Sequence, residues 1–267
     1  MSAPLTPFFF GSGRRPLFGA YSPAVGGSAQ RAAVLCAPWG REYLCAHRSM
    51  RQLGNQLSQA GVHVLRFDYY ATGDSGGNAV DGDLSGWVDD VLTAMDELRD
   101  TSAVRKVTLV GLRLGAWLAQ QASLRQARGL DSLVLWDPVV SGPQYLDELT
   151  RSVIDEDDRH QPPAARDAGV GGGLEIHGFA LTERVLGQLG SVDLVSALSG
   201  QPGRVLAVLS QERPDDLEAL RRALSDKGDA GQVESVPALP AWRNHADTGA
   251  GAVPVRVLQR IVQWLTT

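Results

Sequence analysis

The stretch Leu109–Ala119, LVGLRLGAWLA, decides how this chain is read. Its centre is Gly111-Leu112-Arg113-Leu114-Gly115, with an apolar run entering and a helix-compatible run leaving. The spacing fits the sharp strand-to-helix elbow written G-x-S-x-G, whose middle side chain stands exposed at the end of a sheet. Both glycines are needed because strand and helix backbones nearly touch at such a turn, where a Cβ would clash. In the middle, where a nucleophilic serine belongs, stands Arg113. A guanidinium stays protonated and has no lone pair to attack with. The frame of a nucleophile-bearing turn is expected, without the nucleophile.

Working outward, short apolar runs alternate with amphipathic ones. Leu17–Tyr21, Ala32–Ala37, Val62–Phe67, Lys106–Val110 and Leu130–Trp136 read as strands. Residues 47–60, with Met50, Leu53 and Leu57 at helical spacing, read as a helix stopped by Gly61. Ser85 is the expected cap of a helix running to about Asp100, and Leu114–Ala127 is the helix leaving the elbow. Residues 68–83 form a Gly- and Asp-rich loop.

Regularity lapses over residues 137–200, with helical patches near Gln144–Ile154 and Leu181–Leu189. Irregular stretches this long inside a compact domain are usually functional, so a helical cap is expected there. Arg204–Ser210 resumes the sheet, and Asp215–Ser225, Gln232–Val236 and Val253–Leu265 follow as helix, weak strand and closing helix. The expected domain plan is a core of residues 1–136 and 201–267 with residues 137–200 as the cap. Alternating strands and helices imply a mostly parallel, doubly wound α/β sheet, with ligands beyond the carboxyl ends of its strands.

The 267 residues carry 25 Lys and Arg against 30 Asp and Glu, a net charge of −5. This gives no basic footprint for nucleic acid. No apolar run approaches the ~20 residues of a membrane span, and the start MSAPLTPFFFGSGRRP inverts the order of a signal peptide. Cys36 and Cys45 are too few for a disulfide framework, and a cytoplasmic setting is expected. No H-x-x-x-H or C-x-x-C spacing exists, so neither metal nor other cofactor is expected.

The chain resembles the α/β-hydrolase superfamily from about Ala32 onward. AVLCAPWGREY (33–43) occupies the place of the oxyanion loop, VLRFDYYATGDSGG (64–77) is similar to the aspartate-containing turn, and GLRLGA is the elbow. LVLWDPVVSG (133–142), HGFALT (177–182) and Ala241-Trp242 resemble a branch of hydrolase-like proteins associated with the exosortase system, together with relatives from natural-product clusters. That resemblance implies an arginine-bearing elbow and leaves the reaction open. GDSGG (73–77) matches the string around the nucleophile of chymotrypsin-like proteases, but those place their serine late, on two β-barrels. Ser75 here is expected to be a structural turn residue.

Arg113 has two readings. Its planar fork suits an anionic group or developing charge. Alternatively it is locked to a carboxylate of its own chain, with Asp137 and Glu42 in plausible reach. The resemblance places a proton-transferring base at His245 and its orienting acid at Asp215 or Asp216. The latter two equally suit the acidic first turn of a helix behind Pro214. The backbone N–H of Leu114 and one from residues 37–41, the loop of Ala37 and Trp39, could polarise a carbonyl. Pro38 has no N–H to offer. Cys36 reads as a buried small hydrophobe, His47 as a helix-opening residue, and His63 as a strand residue. His160 and His177 fall in the cap, where His177 could face ligand. The resulting expectation is an atypical enzyme acting on an ester or thioester, small or carrier-bound, by hydrolysis, elimination or cyclisation without a serine acyl-enzyme. The alternative is a non-catalytic binding or partner protein on the same fold.

Overall fold

A computed structural model describes residues 5–26, 30–157, 173–244 and 251–267. The first two strands form a hairpin, β1 (Thr6–Ser12) with β2 (Arg15–Ser22). Next come β3 (Arg31–Cys36), helix α1 (Arg41–Gln59), β4 (Val62–Phe67) and α2 (Leu84–Ser102). Then follow β5 (Val107–Leu112), α3 (Leu114–Arg125), β6 (Leu130–Trp136) and α4 (Gly142–Asp157). A small hairpin of β7 (Leu174–Ile176) and β8 (Phe179–Leu181) leads to α5 (Glu183–Gly190). The chain closes with β9 (Arg204–Leu209), α6 (Pro214–Leu224), β10 (Gly231–Ser235) and α7 (Val255–Thr266).

Among the described residues one sheet of eight strands runs β1-β2-β4-β3-β5-β6-β9-β10. From β4 to β10 all neighbours pair in parallel, and β2 meets β4 antiparallel. The central strands are continuous apolar runs because both faces are covered. Alternate residues serve opposite layers. Val34, Leu109 and Leu135 pack toward α2, α3 and α6, while Leu35, Val110 and Val134 pack toward α1 and α7.

Several boundaries differ from the sequence expectations. β1 was not expected; its Phe8, Phe9 and Phe10 join an aromatic cluster with Phe18 and Phe67. Helix α1 starts at Arg41, directly after Gly40 at φ 66, so His47 lies inside the helix rather than opening it. Ser85 does not cap α2. Asp83 does, accepting the Gly86 N–H at 2.7 Å, while the Ser85 hydroxyl bonds Asp83. The stretch between β6 and β9 contains α4, the β7–β8 hairpin and α5, where only the two helices were expected. No helix among the described residues is long and apolar enough to cross a membrane.

Candidate active site

The site grows from the carboxyl ends of β3, β5, β6 and β9, which lie side by side in the sheet. The elbow between β5 and α3 is as tight as its glycines demand. A Cβ on Gly111 would collide with the Gly115 carbonyl and the Ala116 backbone; one on Gly115 would collide with the carbonyls of Cys36 and Ala37. Arg113 sits at the apex with φ 55 and ψ −123, a conformation that costs an L-residue about 1–3 kcal/mol.

The Arg113 side chain is 1% exposed. Its Nε donates to Glu42 Oε1 at 2.9 Å and its Nη2 to Glu148 Oε2 at 2.5 Å. The guanidinium lies over the Trp242 ring, 4.0 Å from the centroid, where the π face attracts a cation. The Tyr145 hydroxyl donates to the other Glu42 oxygen at 3.0 Å, and Arg213 reaches Glu148 Oε1 at 2.7 Å. Five elements therefore meet at one buried network: α1 gives Glu42, the elbow Arg113, α4 Tyr145 and Glu148, the turn before α6 Arg213, and the loop before α7 Trp242.

Burial alone would weaken the Arg113 proton affinity, but Glu42 and Glu148 more than reverse this, so the cation is held above its ordinary range. Burial pushes the Glu42 carboxyl up, with Arg113 and Tyr145 pulling against it. Glu148 is less deeply buried, so Arg113 and Arg213 outweigh burial and hold its carboxyl below the usual range. The charges are each committed to the others, as a buried network requires.

Of the two carboxylates expected near Arg113, Glu42 is bonded to it and Asp137 is not. Asp137, just past β6 at φ 41, accepts the Ser210 N–H and hydroxyl, each at 2.6 Å, tying the ends of β6 and β9 together. Burial pushes its carboxyl up despite those bonds. Glu148 was not anticipated. It lies 35 residues from Arg113 in sequence, and only the packing of α4 brings it in.

The remaining candidates fall as follows. Leu114 is buried as the first residue of α3, where its N–H has no acceptor within the helix. Ala37 and Trp39 are buried in the loop after β3; the Ala37 carbonyl accepts the Tyr69 hydroxyl, and Trp39 packs edge-on to Phe179 of β8. His177 borders a cleft of about 390 Å³ with Arg41, Glu42, Glu148, Trp242 and Arg243, and its Nδ1 lies 3.2 Å from Arg41 Nη1. Asp215 is exposed in the first turn of α6, and Asp216 pairs with Arg213 at 3.4 Å. His245 and His160 lie outside the described residues.

Cys36 is fully buried, and burial pushes its thiol up. Ser75 donates to the Asp68 carbonyl and accepts the Phe18 N–H, two bonds that fix a turn. His63, on β4, lies 2.6 Å from the Tyr21 hydroxyl.

The strand order, the elbow and the helices on both faces are those of the α/β-hydrolase fold. Est1E from Butyrivibrio proteoclasticus superimposes with a TM-score of 0.66 at 13% identity, covering 97% of this chain and 96% of that one. A Pyrococcus furiosus esterase gives 0.67 at 15% identity, covering 98% and 90%. The family model described as serine aminopeptidase, S33, matches residues 30–159. The mitochondrial palmitoyl-protein thioesterase of Homo sapiens is 36% identical over 74 residues, 28% of this chain. The match spans only 23% of that relative's length. Sequence and fold comparisons alike thus lead to hydrolases of the α/β-hydrolase superfamily.

Proposed function

We propose that this chain engages an ester, thioester or related carbonyl compound at the carboxyl edge of its sheet without forming a serine acyl-enzyme. One observation carries the reading: the elbow apex holds Arg113, buried and bonded to Glu42 and Glu148, where a nucleophile would stand. Fast acyl-enzyme turnover has no group to run on there. The oxyanion-binding frame survives in the Leu114 N–H and an N–H of residues 37–41. Such a hole, with binding alone, sustains a residual ~10³–10⁴ over water in a protease stripped of its triad.

In this reading His245 moves protons, Asp215 orients it, and His177 meets ligand in the 390 Å³ cleft. Arg113 takes a positioning role, because its fork is already taken; it holds Glu42, Tyr145 and Glu148 in place. The segment 137–200 acts as the cap that shapes the substrate. The human relative's activity on palmitoyl-protein thioesters supports an acyl thioester, small or carrier-bound, as substrate. The resemblance to the exosortase-associated branch leaves hydrolysis, elimination and cyclisation as the reactions to test. Both cysteines are free and buried, in keeping with a reducing, cytoplasmic setting.

The test combines a fluorophosphonate probe with turnover of p-nitrophenyl and acyl-thioester substrates. No serine is expected to be labelled stoichiometrically, and His245→Ala is expected to lower turnover. Stoichiometric labelling of Ser75 or any other serine overturns the proposal. A second reading, a non-catalytic binding protein, draws on the same commitment of the Arg113 guanidinium to its own chain. Equal turnover by wild type, His245→Ala and Arg113→Ala selects it. Arg113→Ser combined with Glu42→Gln then asks whether the rest of a hydrolytic set stands ready: a gain of esterase activity says that it does.

A further inference from the structure

On the other side of the oxyanion-position loop, away from Arg113, a cavity of about 340 Å³ opens between α1 and the β2–β4 edge of the sheet. Its size falls within the range of small-molecule sites. Phe18, Leu35, Met50 and Phe67 give it an apolar lining, and Arg51 and Arg66 place two guanidiniums on its wall. Arg66 is half-buried on β4. Its stem runs along α1 at Gly54, where an added Cβ would lie 3.5 Å from Arg66 Cδ. Among the described residues neither arginine has a hydrogen-bond or ion-pair partner.

For Arg66 that situation contrasts with other buried or partly buried arginines, since Arg15, Arg99, Arg113, Arg213 and Arg260 all have carboxylate partners. Two carboxylates face the same cavity, Asp68 and Asp74. Asp68 accepts the Tyr43 hydroxyl at 2.8 Å and the Asp74 N–H at 3.0 Å, and its charge supports Arg66 without a hydrogen bond to it. Burial depresses the Arg66 proton affinity most and the like charge of Arg51 adds to it, while Tyr43 and Asp68 offset them only in part. A half-buried guanidinium with no hydrogen-bonded anion is costly to fold around, and a bound anion lowers that cost.

We propose that this cavity binds a carboxylate with an apolar chain, its head group bridging Arg66 and Arg51 and its chain lying against Phe18, Leu35 and Met50. The two guanidiniums supply the charge-assisted hydrogen bonds that a carboxylate accepts. The cavity also borders Ala37 and Pro38, so an occupant touches the back of the loop whose front faces the candidate active site.

Isothermal titration of the full chain with octanoate, octanol and inorganic phosphate tests this. Octanoate should bind about tenfold or more tighter than octanol, the worth of one charge-assisted hydrogen bond, and phosphate should bind more weakly than octanoate. That preference should collapse in Arg66→Met and fall in Arg51→Met, whose exposed side chain can be changed without disturbing the core. Equal affinity for octanoate and octanol, binding of phosphate but not octanoate, or no binding at all overturns the proposal. So does octanoate affinity that survives both substitutions, because the ligand then sits elsewhere.

Discussion

Removing the Arg113 side chain is the most direct test of what holds the centre of this molecule together. In Arg113→Met the volume is kept roughly constant, but Glu42 loses the cation on its Oε1 and keeps only the Tyr145 hydroxyl. Breaking a buried ion pair by deleting one partner costs about 3–5 kcal/mol, most of it from the charge left behind. Glu148 is less affected because Arg213 still reaches its other oxygen. In a domain of this size the loss corresponds to a fall in Tm of roughly 6–20 °C.

The penalty should also depend on pH. Burial already raises the Glu42 carboxyl, and without Arg113 it rises further. A carboxyl raised in the folded state favours folding while protonated and opposes it once ionised. Both proteins should therefore lose stability as pH climbs from about 4.5, and the variant should go on losing it relative to wild type once pH passes the raised value of wild-type Glu42. Adding Glu42→Gln removes the orphan charge while preserving an acceptor for Tyr145, and should restore half or more of the loss. Urea unfolding of the four proteins in the cycle measures all of this. A single variant within about 1 kcal/mol of wild type, or a double variant less stable than the single, would refute the reasoning.

Two further outcomes follow from the same geometry. Gly115→Ala drives a Cβ into the carbonyls of Cys36 and Ala37, so it should cost about 3 kcal/mol or more, or prevent folding, as read by urea midpoint and soluble yield. Asp137→Asn keeps an acceptor for the Ser210 N–H and loses a charge that burial disfavours, so it should fall within about 1 kcal/mol of wild type near neutral pH. Because the Asp137 carboxyl is raised, wild type should lose stability relative to Asp137→Asn as pH rises from about 3.8 upward. A relative gain over that window would contradict the burial argument.

The sheet was legible because its signals are local. The apolar runs that become β3 to β6 and β9 cannot be exposed, and the G-x-x-x-G spacing of the elbow has a steric cause found again in the Gly111 and Gly115 contacts. The β1 strand escaped because three consecutive phenylalanines break the alternation that marks a half-buried strand, and β7 and β8 are only three residues each. Ser85 drew attention as a cap because hydroxyls are favoured there, yet Asp83 holds that position two residues earlier. Within the candidate site, Glu42 was foreseen because it follows β3 at a short, fixed distance. Glu148 carried no local mark: it is one acid among several on α4, and only the crossing of that helix over the elbow selects it. Asp137 stands close enough to feel Arg113, but its positive φ turns the carboxylate toward Ser210.

The five-element meeting at Arg113 also limits how this lineage can change. A lone Arg113→Ser change would strand Glu42 in a dry interior, so the protein would lose fold margin for any nucleophile it gained. A tolerated change at this position begins with Glu42. Removing Glu42 alone leaves Arg113 paired with Glu148 but one counter-charge short, so descendants of this sequence are held where they are by mutual dependence among residues that no single substitution can release.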